Sequence, residues 1–157
     1  MNLNFNQELT AGYKSKSQMA RVLTEDWVER NAYCLSCGNG SLISMKNNLP
    51  VADFLCENCH EQYELKSIKK KFGRTVSDGT YATMIERIQS NDNPNFFFLT
   101  YEQGWSVKDL MVIPKQFFRP ELIYKRPPLK KPTRRAGWVG CNIDISKISA
   151  SGKVFCD

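Results

Sequence analysis

A chain of 157 residues, 41% apolar and with a net charge of +6, is long enough to bury a real core and too apolar to be a disordered polyelectrolyte. No stretch reaches the roughly 18 apolar residues that span a bilayer, and the opening MNLNFNQELT lacks the basic-then-apolar pattern of a secretory signal. Membrane and secreted classes are therefore set aside and a cytoplasmic location is expected; the basic balance favours a polyanionic partner without identifying it.

In chain order, residues 15–31 carry Met19, Val22, Leu23, Trp27 and Val28 at mostly helical spacing, with Thr24 as a possible second helix start. The turn-rich YCLSCGNGS follows. Residues 49–56 and 62–67 read as a strand pair around the turn CENCHE, and KSIKKKFGR reads as a basic loop. Asp78 is expected to open a second helix, DGTYATMIERIQS, with Tyr81, Met84, Ile85 and Ile88 on one face. Asn95 to Glu102 is a short continuous apolar run, the pattern of a buried central strand, and WSVKDLMVIP is its expected partner. Residues 120–135 hold four of the seven prolines and six lysines or arginines against one acid, the composition of a basic loop. Trp138 to Ile145 reads as a final strand.

Cys34, Cys37, Cys56 and Cys59 form two C-x2-C pairs separated by 18 residues, inside the spacing of four-cysteine zinc sites. In the cytoplasm thiols stay reduced, so disulfides are not the expected use of these residues. Each pair offers two thiolates from one tight turn, and four thiolates close the tetrahedron, which makes the zinc structural and not catalytic. Cys141 and Cys156 read as plain buried or terminal residues, and His60 as a surface residue beside the second pair. Glu57 and Glu61 read as solvated.

The second pair sits at a turn between Asp53 and the triplet Glu64-Leu65-Lys66. Alternation along a strand puts Glu64 and Lys66 on one face, and antiparallel pairing brings Asp53 near Glu64. Two close carboxylates repel unless a cation lies between them. Mg2+ accepts a few carboxylates with waters and phosphate oxygens, and a lysine beside it can steady phosphate charge. An exposed Glu-x-Lys pair is by itself commonplace. Here Val51, Ala52, Phe54 and Leu55 make the surroundings of Asp53 apolar, and a charge in such a place needs a purpose.

These residues carry a resemblance. Asp53 followed by Glu64-Leu65-Lys66 resembles the PD-(D/E)xK nuclease signature. VLTEDW, YCLSCGN, PVADF, CENC, ELKSI, DGTYATM, NPNFFFLTY, PKQFF and RRAGWVGCNID together resemble the catalytic domain of the DpnI, or Dam-replacing, family from about residue 4 to about residue 155. The resemblance implies an α/β PD-(D/E)xK core, a central mixed sheet flanked by helices, with a four-cysteine zinc knuckle at the catalytic hairpin. It implies a type II restriction endonuclease cutting double-stranded GATC whose adenine is N6-methylated. Asp53, Glu64 and the Leu65 carbonyl would hold Mg2+, Lys66 would be the catalytic lysine, and the four cysteines would hold zinc. Trp138, after Arg134 and Arg135, would face the methylated base, although a tryptophan at a strand start is more often a core residue. The family carries a winged-helix domain after the catalytic one; residues 1–157 are expected to be the single nuclease domain without it, favoured as a monomer.

Two basic clusters flank this centre: Lys66, Lys69, Lys70, Lys71 and Arg74, and Lys125, Arg126, Lys130, Lys131, Arg134 and Arg135. A charge run is usually a solvated face, but two beside a phosphodiesterase centre suit a DNA backbone. The alternatives are a zinc-containing DNA-binding fragment with weak or no catalysis, and a protein scaffold, which leaves the Asp-Glu-Lys spacing unexplained.

Overall fold

The computed structural model describes residues 1–45 and 52–156, which form two compact units. The first unit comprises Met1–Lys71, Pro94–Ile113 and the chain from Val154. It is built on a six-stranded sheet of β1 (Ile43–Ser44), β2 (Phe54–Leu55), β3 (Gln62–Lys69), β5 (Asn95–Tyr101), β6 (Val107–Ile113) and β9 (Val154–Cys156), in that spatial order. β3 and β5 run parallel and every other neighbouring pair antiparallel, so the sheet is mixed. Helix α1 (Lys16–Asn31) places Leu23, Trp27 and Val28 in one core with Phe54, Tyr63, Phe97, Leu99, Leu110 and Val112. The α/β class, the mixed sheet and the cysteine knuckle at a hairpin are those the sequence implied.

α1 is one helix, not two. The Thr24 hydroxyl is fully buried and donates to the Ala20 carbonyl at 2.8 Å, one turn back, instead of capping a new start. Strand β5 is central, as its apolar run requires: Asn95 to Thr100 are all buried, on both faces of the sheet.

The second unit comprises Phe72–Asn93 and Pro114–Lys153. Its three-stranded antiparallel sheet runs β4 (Thr75–Thr80), β8 (Gly140–Asp144), β7 (Ile123–Lys125). Helix α2 (Tyr81–Gln89) buries Met84 and Ile88, the centre of the expected stripe.

Several boundaries differ from the sequence reading. Asp78 does not open α2; residues 75–80 are a strand paired with β8, and the helix begins at Tyr81. Ser67, Ile68 and Lys69 extend β3 instead of looping out, because they pair in register with Leu99, Thr100 and Tyr101 of β5. Within the basic stretch, Ile123 is buried and starts β7. β8 begins at Gly140, later than Trp138, and β9 follows it, so β8 is not the final strand. The start expected for the first hairpin strand, residues 49–51, with Pro50 and Val51 of the PVADF motif, lies outside the described residues.

Candidate catalytic and zinc-binding site

Both cysteine pairs adopt the same turn. In the first, the Gly38 N–H donates to the Cys34 carbonyl at 2.8 Å; in the second, the His60 N–H donates to the Cys56 carbonyl at 2.8 Å. The residue after each pair has positive φ, 75° at Gly38 and 62° at His60. Glycine adopts this conformation without strain; histidine is among the side chains that tolerate it. His60 therefore serves the turn through its backbone, and its side chain is exposed.

The four sulfur atoms converge. Cys34 and Cys59 sulfurs are 3.5 Å apart, Cys37 and Cys56 3.6 Å, and all four lie within 4.8 Å of one another. A zinc tetrahedron with bonds of about 2.3 Å has edges of about 3.8 Å, so the cluster fits that ion. Its electrostatics also call for a cation. Burial disfavours the Cys56 thiolate, but the N–H groups of Cys59 and Asn58 turn on its sulfur and bring the thiol down to about 6. At Cys59 the Glu61 N–H favours the thiolate, yet burial and the neighbouring sulfurs outweigh it and push the thiol up to about 12. Four thiolates crowded this closely repel one another unless a positive charge lies among them. Cys141 is buried, as expected, in the second unit.

The knuckle ends where the acids begin. β2 and β3 pair with Phe54 opposite Tyr63 and Leu55 opposite Gln62, which carries Asp53 toward Glu64 and Leu65. The Leu65 N–H donates to Asp53 Oδ2 at 2.7 Å. On the opposite face of β3 from Leu65, Lys66 Nζ lies 3.0 Å from Glu64 Oε1, with both side chains less than one-fifth exposed. Burial holds the Asp53 carboxyl above the usual carboxylate range; the Leu65 N–H opposes this, the charges of Glu64 and Glu25 add to it, and Lys66 offsets part of it. Asp53, Glu64, Leu65 and Lys66 thus stand together around one strand, two acids with one amine and a fixed backbone amide.

The sequence reading missed several supporting residues. Glu25 on α1 acts on Asp53 through its charge and is held by Arg21 Nε at 2.8 Å; its only signal was the acidic TEDW, read as a helix start. Thr24, beside it, lies 3.3 Å from the Ser67 hydroxyl on β3. Glu61 is not simply solvated: it is half-buried and accepts from Asn95 Nδ2 at 2.9 Å, linking the knuckle to β5. Glu57 is exposed, as expected.

The basic residues fall in two places. Lys69 ends β3 and Lys70 and Lys71 follow it in a turn, all three exposed. In the second unit, Arg74 is engaged by Asp144, with Nη2 3.2 Å from Oδ2. Arg134 and Arg135 are exposed. The Arg135 guanidinium lies 4.2 Å over the Trp138 ring, and Trp138 Nε1 donates to Thr80 Oγ1 at 3.1 Å. Trp138 is half-buried and not a core residue. Gly140 leaves room for it: a Cβ there would stand 2.6 Å from the indole Cη2.

The structure brings the four cysteines together at a hairpin whose strands carry Asp53, Glu64 and Lys66. The Dam-replacing family (DpnI) matches residues 1–156. The chain belongs to the Dam-replacing family. Membership supports a methyl-directed restriction endonuclease in general, with DNA as its partner. Among the described residues no helix is long and apolar enough to cross a membrane.

Proposed function

We propose that this Dam-replacing family member is a type II, Mg2+-dependent endonuclease, one nuclease domain over residues 1–157, that hydrolyses double-stranded DNA at GATC carrying N6-methyladenine. We further place it in the cytoplasm, as a monomer, with zinc in the Cys34, Cys37, Cys56 and Cys59 cluster. The observation that carries the catalytic reading is the Asp53 carboxylate, half-buried and fixed by the Leu65 amide at 2.7 Å beside the Glu64–Lys66 pair. A half-buried carboxylate held beside other acids against its own desolvation cost is a functional-site signal.

Asp53, Glu64 and the Leu65 carbonyl would hold Mg2+, which when bound supplies positive charge to the scissile phosphate. The chain's own residues do the rest. The Leu65 N–H takes one lone pair of Asp53 and so fixes which oxygen faces outward. Glu64 orients the Lys66 ammonium, which favours negative charge developing on the phosphate. Lys69, Lys70, Lys71, Arg134 and Arg135 hold the DNA backbone, which positions without specifying. Trp138, steadied by Thr80 and Arg135, contacts the methylated base.

The test is cleavage of plasmid from methylating and non-methylating hosts with Mg2+, beside Asp53→Ala. Fragments from methylated plasmid alone, lost in the variant, are expected. Binding without cleavage at every Mg2+ concentration would instead make the chain a zinc-containing DNA-binding module.

A further inference from the structure

We propose that Tyr63 is a positioning residue that couples the cysteine knuckle to the catalytic strand; this rests on the zinc and nuclease reading above. Tyr63 is fully buried. Its ring stacks on Phe97 with centroids 4.9 Å apart and planes 18° from parallel. It sits at the junction of three strands, opposite Phe54 on β2 and Asn95 on β5. Its hydroxyl leaves this sheet and reaches the first cysteine pair, 3.0 Å from the Leu35 N–H and 3.2 Å from the Cys34 sulfur.

The direction of these bonds follows from chemistry. The Leu35 N–H can only donate, so the tyrosine oxygen accepts it. A zinc-bound thiolate has no proton, so the tyrosine hydroxyl donates to Cys34. Both capacities of a fully buried hydroxyl are thereby used, and such a group is tolerated in a core only when it is satisfied.

Packing alone does not account for the hydroxyl. Phe54, Phe96, Phe97 and Phe98 are all buried phenylalanines of the same sheet, and a phenylalanine at position 63 would fill nearly the same space. What the oxygen adds is a set of bonds from β3 to the first cysteine pair: to the Leu35 N–H, to Ser36 and to the Cys34 sulfur, the last a metal ligand on the zinc reading. The next residue is Glu64, and the one after supplies the amide that holds Asp53. Consecutive positions of one strand therefore grip the knuckle, present an acid, fix the second acid and present the lysine. Donors to a metal's ligands typically change affinity or activity by about 10–100-fold.

Tyr63→Phe, in the full chain, tests this. Three measurements are made: zinc release to a chromophoric chelator, the sulfur-to-metal charge-transfer band after cobalt substitution, and single-turnover cleavage of methylated duplex at saturating Mg2+. Loss of the donor should speed zinc release about tenfold, move the band to lower energy, and slow single-turnover cleavage about tenfold with KM for DNA unchanged. Phe97→Leu loosens the same ring stack but keeps the hydroxyl; it should lower Tm and leave the band in place. A Tyr63→Phe band and release rate equal to wild type overturn the proposal while leaving the zinc reading intact. Altered release with unchanged cleavage overturns the coupling. A wild-type chain that takes up neither zinc nor cobalt overturns the zinc reading and the proposal together.

Discussion

The two units handle charge in opposite ways. In the first, Asp53, Glu64 and Lys66 are largely withdrawn from solvent and tied to β3 and its amides. In the second, Arg134 and Arg135 stand exposed, and Arg74 is 71% exposed even while engaged by a buried Asp144. Withdrawn charges are weakly screened by salt; displayed ones are strongly screened. The contrast teaches that chemistry and DNA capture should respond to different perturbations. Lys69, Lys70 and Lys71 are exposed cations within the first unit and, on the proposed function, join the residues that hold DNA.

The largest effect should come from breaking the withdrawn side at its root. Cys56→Ala, or zinc removal by a strong chelator, should cost several kcal/mol, since structural zinc contributes about 10–16 kcal/mol in isolated finger peptides. Metal analysis and thermal unfolding would read it; an unchanged melting curve in a metal-free chain would show that the sheet holds the hairpin without the ion.

Next in size, Asp53→Asn should reduce cleavage by more than about 100-fold, beyond the range seen for residues that only support metal ligands. The same change should raise Tm at neutral pH in the absence of Mg2+, with the zinc retained. Burial raises the Asp53 carboxyl, so its ionised form weakens the fold. That penalty is complete above the raised value and vanishes below the ordinary aspartate range near about 4, where the unfolded chain is protonated too. The Tm gain of the variant should therefore fade as pH falls toward that value. A gain that persists at low pH would mean the charge is not its source.

On the displayed side, Gly140→Ala drives a Cβ to within 2.6 Å of Trp138. It should reduce the preference for methylated over unmethylated duplex by about tenfold, the worth of about 1.4 kcal/mol, with cleavage chemistry little changed. Equal discrimination in variant and wild type would remove Trp138 from methyl reading. Arg134→Gln or Lys70→Gln should each weaken DNA binding a few-fold and lower the slope of log affinity against log salt by about one. Titrations at several salt concentrations measure this, and single-turnover cleavage at saturating enzyme should barely move. His60→Gly relieves a left-handed histidine and should add a few tenths of a kcal/mol of stability, roughly what is left of the left-handed cost after glycine's own entropy penalty, read as a small rise in Tm.

Much of this molecule was legible in the residues, and the unevenness has physical reasons. The cysteine spacing located the knuckle because metal ligation permits few separations. β5 was legible because a strand buried on both faces is apolar throughout. β4 was not: Thr75–Thr80 contains Ser77, Asp78 and Gly79, and is a strand only because β8 pairs with it. Long-range pairing of that kind leaves no local trace. Tyr63 drew no reading from the sequence, since nothing there shows that its hydroxyl meets Cys34 from 29 residues away. Arg74, counted among the DNA-facing cations, turns to Asp144, 70 residues later.

The first unit is assembled from three separate stretches of chain and the second from two, and the six-stranded sheet takes strands from Ile43 through Cys156. A ribosome must therefore emit the chain through β6 before the core of the first unit can close, and through Lys153 before the second unit is complete. Such non-local wiring implies slow acquisition of structure and a long interval in which β5, with its three consecutive phenylalanines, is open to capture by chaperones or by other nascent chains.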